Sequence, residues 1–211
     1  LTDGSGGMEK SRTHFSRQII EDSGSLSGAV FGSIPDKVWY RSLQEKNFTF
    51  FHSILAEIER DLTEYEHYQI VADAVDGYNP IHDLAAAMGT ALQKRLINRK
   101  KRAELYFSAA VPGVLGERHA EFWLDDEAKA RKNRAVQNYT PLAEEARRIL
   151  DQDKTALDRE TIIHQVFDWS FPHCPQWETI GRDRVAAGVY PSCLTFRDHL
   201  QPVVLDLLGS P

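Results

Sequence analysis

The chain has 211 residues, with 42% hydrophobic and 27% charged, enough to bury a core without staples. Its formal net charge is -6, which argues against a nucleic-acid binder. No apolar run approaches the ~20 residues that cross a bilayer, and two cysteines, Cys174 and Cys193, do not make a disulfide scaffold. A reduced, cytoplasmic setting follows as the expectation.

The chain opens with the turn-rich "TDGSGG", and Leu1 before it reads as the remnant of a strand. The stretch 9–24 carries Phe15, Ile19 and Ile20 at modest helical spacing. A short strand is expected around Ala29 to Phe31. "NFTFFHSILAEIERDL" places Phe51, Ile54, Leu55, Ile58 and Leu62 on one face and predicts an amphipathic helix.

Tyr68 to Val75 is nearly apolar and reads as a strand buried on both faces, as in a parallel sheet. Residues 81–98 form the clearest helix, with Asn79 as N-cap and Pro80 at its first position. Its end, "KRLINRKKR", has six basic residues in nine. They either complement the negative pole of the helix or bind an anion.

"AELYFSAAVPG" reads as a second core strand and 121–125 as a short one. Helices are expected at "DEAKARKNRAVQNY" and at "PLAEEARRILDQD", the latter opened by Pro141. Alternation of helix and strand predicts an α/β fold, a Rossmann-like three-layer domain with a mostly parallel sheet. Residues 1–157 are read as that domain. Residues 158–211, rich in proline and tryptophan, are read as an extension serving as a lid or an oligomer contact. Trp169, Phe171, Trp177 and Tyr190 would line a pocket or an interface.

The chemistry gathers at "DGYNPIHDLAAA", residues 76–87. His82 and Asp83 fall in the first helical turn, beyond the carboxyl end of a strand, where open α/β sheets bind ligands. Imidazole offers a lone pair to a metal or accepts a proton. Asp83 has the simpler reading of an acceptor for amides at the helix start. Asp73 and Asp76 add nearby carboxylates. "HQVFD" is read as a helical turn with His164 and Asp168 on one face, and with His173 and Cys174 it forms a second, thinner metal candidate. His14, His52, His67, His119 and His199 have no convincing partner in the sequence.

"LTDG", then "SIPD" at Ser33 to Asp36, then the Asn79–Asp83 corner, and later "KNRAVQNY" at Lys132 to Tyr139, follow one another in an order that resembles the LmbE-like, PIG-L-type deacetylases. That resemblance covers roughly residues 1–140. It implies a Rossmann-like fold and a zinc-dependent hydrolase that removes an acyl group from an N-acyl amino sugar or related amide. It carries His82 over as a zinc ligand, Tyr78 and Asp83 as catalytic groups, and Asp3 and Asn79 as substrate-binding groups. Its substrate would be a small molecule such as an N-acetylated sugar, with no nucleic acid and no membrane span, and with a homo-oligomer open. The family's "H-P-D-D" motif does not occur here, and its "H-P-D-H" motif reads "NPIH". Asn79 and Ile81 replace the His and Asp. The chain starts at the turn that follows the family's first βαβ portion, so that portion is missing from this sequence, lost or never present. The resemblance therefore implies an inactive hydrolase unless that part is supplied. The other readings are a non-catalytic relative that binds a sugar or serves in assembly, and a nucleotide-dependent enzyme. "DGSGG" matches no phosphate-binding fingerprint, which disfavours the last.

Overall fold

The computed structural model describes residues 2–5, 10–62, 65–109 and 113–209. The chain runs through α1 (Thr13–Asp22), α2 (Asp36–Gln44), α3 (Phe48–Asp61), β1 (His67–Asp73), α4 (Pro80–Asn98), β2 (Arg102–Ser108) and β3 (Glu117–Trp123). It continues through α5 (Asp126–Asn138), α6 (Ala143–Gln152), β4 (Arg159–His164), α7 (Gln176–Ala186) and α8 (Gln201–Gly209).

Helix α4 behaves as its sequence requires. Asn79 accepts the Ile81 amide at 2.8 Å, and Pro80 occupies the first turn. The helix is the crossover of a β1–α4–β2 unit, and a helical crossover returns the next strand parallel. It lies close to the sheet at Gly89. A Cβ there would meet Ala72 at 3.0 Å and Leu105 at 3.3 Å.

The expectation of a mostly parallel, Rossmann-like sheet is wrong. The strand order is β1-β2-β4-β3, and only β1 and β2 run parallel. β4 is antiparallel to both of its neighbours. The reason lies in residues 159–164. The sequence reading puts a helical turn at "HQVFD", 164–168, yet Thr161, Ile162 and Ile163 just before it are a β-branched run that favours a pleated surface. Alternating helices and strands give the same linear pattern whether the last strand returns parallel or reversed. His164 therefore ends a strand, and it does not share a helix face with Asp168, which accepts from the amide of Ser170 in the next loop. The three-layer expectation also fails over β1 and β2. Ile70 and Leu105 face α4, so their neighbours Val71 and Tyr106 face the other way, and Val71 is 55% exposed. The strand expected around Ala29–Phe31 is a turn, and nearby Ile34 makes an isolated bridge to Thr2.

Behind α4 the core continues into α2, α3 and α8. Trp39, Leu43, Phe51, Leu55, Leu84, Val203 and Val204 have essentially no exposed surface. At one side of this packing Glu59 Oε2 meets Arg95 Nη1 and Arg99 Nη2, each at 3.4 Å. Arg95 Nη2 also bonds His52 Nδ1, whose Nε2 meets Asp206 at 2.7 Å. Four of the six basic residues at the end of α4 are thus in ion pairs, Arg95 and Arg99 sharing Glu59. Lys101 pairs with Glu66 and Arg102 with Glu104. These pairs favour the structural reading of that run.

Residues 158–209 are woven into this fold. β4 lies between β2 and β3, and α8 packs on α3 and α4.

Candidate functional site

Consecutive residues on a helix point about 100° apart. That rotation separates the His-Asp pair. Asp83 turns inward and has no exposed surface, while His82 turns toward a cleft.

The corner is built from the inside outward. Asp83 Oδ1 accepts the amides of Asp76 and Gly77, both at 3.1 Å. Asp83 Oδ2 accepts Trp177 Nε1 at 2.7 Å. Gly77 has φ +65, a left-handed conformation that glycine takes without penalty, and a Cβ there would lie 3.5 Å from Pro175. Its carbonyl accepts the Trp177 amide at 3.0 Å. Asp83 thus fixes the backbone of Asp76 and clamps α7 to the corner. Burial pushes its carboxyl above the usual range. The bonds from Trp177 and the two amides oppose that shift, and the Asp76 charge adds to it.

Asp76 is then aimed at His82. Its Oδ1 accepts the Tyr78 amide at 2.7 Å, and its Oδ2 lies 2.8 Å from His82 Nδ1. Burial alone would lower the His82 pKa. The Asp76 bond and charge outweigh it, with smaller help from Asp73 and Asp83, and the imidazole is held above its ordinary value. Nδ1 therefore carries the proton toward Asp76. Nε2 has no hydrogen-bond partner among the described residues.

The cleft beside His82 encloses about 1350 Å³ and is walled by α1, α2, α4, α5, α6 and α7. Ile19, Val136, Leu142, Ile149 and Ile180 give it an apolar lining. Its charged rim holds Arg12, Lys37, Arg41, Lys132, Arg148 and Arg184 against Asp36 and Glu145. This balance is the reverse of the whole chain. Lys132 pairs with Glu160 at 2.7 Å. Among the described residues Lys37, Arg41 and Arg148 enter no ion pair of their own. Tyr78 stands across from His82, with ring centroids 6.5 Å apart. Its phenol is held protonated by burial and by Glu145, against the pull of Arg148. On the far wall the Tyr40 hydroxyl is pushed up to about 12 by burial and then by Asp36 and Tyr190, against Arg184.

Of the residues expected at the site, Tyr78, Asn79 and His82 line this one cleft. Asn79 also caps α4. Asp83 sits behind the cleft, and Asp76 is the carboxylate that meets the imidazole. Asp3 does not line the cleft. Its Oδ1 accepts the amides of Ser5 at 3.0 Å and Asp36 at 3.1 Å, so it caps the start of α2. Burial would raise its pKa, but those bonds prevail and lower it. Thr2 and Asp3 therefore meet the "SIPD" segment.

Three contributors escaped sequence reasoning. Trp177 was read only as an aromatic of pocket or interface. Gln165 pins the end of β1 by exchanging bonds with Val75 at 2.7 and 3.0 Å. The cationic rim draws on Arg12 just before α1 and on α2, α5, α6 and α7, which no local pattern links.

The resemblance implies a zinc site at His82. Among the described residues no group of three or more His, Cys, Asp and Glu side chains converges as a metal site. The thinner candidate also disperses: His173 packs on Phe167 and Phe196, and Cys174 is exposed. Among the described residues no helix is long and apolar enough to cross a membrane. No family model matches the chain, and neither does any curated protein or solved structure.

Proposed function

We propose that the cleft binds a small molecule bearing an anionic group and that His82 transfers protons there, in the hydrolysis of an N-acyl amino sugar or related amide. The observation that carries this is the His82 Nδ1–Asp76 Oδ2 bond of 2.8 Å at the edge of a large cleft. A carboxylate on Nδ1 fixes the tautomer and leaves Nε2 as a base.

In this reading Nε2 takes a proton from a water molecule, whose oxygen attacks the acyl carbon. The tetrahedral oxyanion accepts from the Tyr78 hydroxyl, beside the Arg148 charge. Collapse breaks the C–N bond, and the imidazolium returns its proton to the leaving amine. Lys37 and Arg41 hold the ligand's anionic group at the rim, where a carboxylate or phosphate meets its natural partner.

A non-catalytic sugar-binding protein is the second reading, favoured by Asn79 and Ile81 standing where the resembled family has a His and an Asp. One experiment separates the two. N-acylated amino sugars, with and without a phosphate, are incubated with the protein, and released amine is followed alongside binding by calorimetry. The hydrolase reading expects turnover on the phosphorylated members, falling by roughly 10²–10⁴ in His82→Ala, and a raised KM in Lys37→Ala and Arg41→Ala. Binding without turnover gives the second reading. Neither binding nor turnover overturns both.

A further inference from the structure

The open face of the sheet carries a second cluster, remote in chemistry from His82. Tyr106 on β2, His119 on β3 and His164 on β4 stack there. Tyr106 lies 4.5 Å from the His119 ring and 5.2 Å from the His164 ring, centroid to centroid. The two imidazoles meet edge to face at 73°, and His119 Nδ1 lies 3.1 Å from His164 Nε2. Both histidines are exposed. The β3–β4 register shifts between Arg118 and Ala120, which sets His119 at the irregularity. A bulge re-aims a side chain.

We propose that His119 and His164 form a surface chelate for a borderline divalent transition ion such as Zn²⁺ or Ni²⁺, with water completing the shell. The bite is the first reason. Two nitrogens bound at ~2.0–2.1 Å to one ion, at angles between square and tetrahedral, stand about 2.9–3.4 Å apart. The observed 3.1 Å falls inside that span. The rigidity of the frame is the second. Each histidine is on a strand of one sheet, and Tyr106 flanks both rings, so little side-chain freedom remains to be lost. The chemistry of the donors is the third. Imidazole suits Zn²⁺, Ni²⁺ and Cu²⁺, whereas Ca²⁺ and Mg²⁺ take oxygen ligands.

In the empty pair one ring donates its N–H to the other. Binding moves that proton to the donor ring's outer nitrogen, so both facing nitrogens present lone pairs and no net proton leaves a neutral pair. This site is separate from the zinc expected at His82.

The test is calorimetric titration of tag-free protein with Ni²⁺ and Zn²⁺ at pH 7.5, for the wild type, His119→Ala, His164→Ala and His82→Ala. Folding of each variant is checked by circular dichroism. One ion per chain is expected, with affinity reduced at least tenfold in His119→Ala and in His164→Ala and unchanged in His82→Ala. Absence of saturable binding below millimolar metal overturns the proposal. So does binding that survives both strand variants, or that disappears in His82→Ala.

Discussion

Trp177 Nε1 donates to Asp83 Oδ2 at 2.7 Å, joining α7 to the first turn of α4 inside the core. This bond is the inner end of a chain of contacts. Asp83 holds the Asp76 amide, and Asp76 holds the His82 ring. The histidine in the cleft is thus positioned by a tryptophan far along the sequence. Trp177→Phe keeps the ring volume roughly but leaves a buried carboxylate oxygen without its donor. A loss of about 1–3 kcal/mol in stability is expected, read as a lower urea midpoint. An unchanged midpoint would show that the bond does not matter to the fold.

The His82 imidazole makes stability depend on pH in a definite direction. Its folded pKa is raised above 6.5, so the folded state binds the proton more tightly than the unfolded chain. The stabilisation is fully present below the unfolded pKa and is lost as pH rises through the folded one. In Asp76→Asn the main cause of the shift is gone. The stability gap between wild type and Asp76→Asn should therefore be larger at pH 5.5 than at pH 8.5. Urea unfolding at the two pH values measures it, and a gap that widens with pH would contradict the assignment.

Glu59 is the shared acceptor for two arginines and is only 5% exposed. Glu59→Ala removes the counter-charge of Arg95, whose own side chain is 15% exposed. Breaking a buried pair from one side costs about 3 kcal/mol or more. Because the network also reaches His52 and Asp206, loosening should extend to α8, and amide exchange in α8 would report it.

Gly89 is where α4 touches the sheet. A Cβ would stand 3.0 Å from Ala72 Cβ. Gly89→Val is expected to lower stability by about 1–3 kcal/mol through overpacking, despite valine's lower backbone entropy in the unfolded chain. A thermal melt at neutral pH is sufficient to read it.

Local signals in the sequence carried much of this architecture. The α4 cap and first-turn proline, the apolar face of α3, and β1 and β2 all lie where periodicity and capping put them. Helix α2 carried no such reading, because its start is capped from a distance by Asp3. Strand direction was not legible either. The direction of β4 is set by pairing with β2 and β3, and Thr161–Ile163 reveal a strand but not its sense. At the site, His82 and the nearby carboxylates of Asp73 and Asp76 were visible, but not which of them meets the imidazole. Asp76 and His82 are six positions apart in sequence, and the turn through Gly77 folds them together. A rim of cations drawn from separate helices leaves no mark in any single window.

The most direct test of the central claim is the ring nitrogen spectrum of ¹⁵N-histidine protein through a pH titration, with and without inorganic phosphate. The account predicts that His82 is the Nδ1–H tautomer, that it titrates above 6.5, and that phosphate raises its pKa further by favouring the charged ring. An Nε2–H tautomer, or a His82 pKa at or below the ordinary value and indifferent to phosphate, would contradict it.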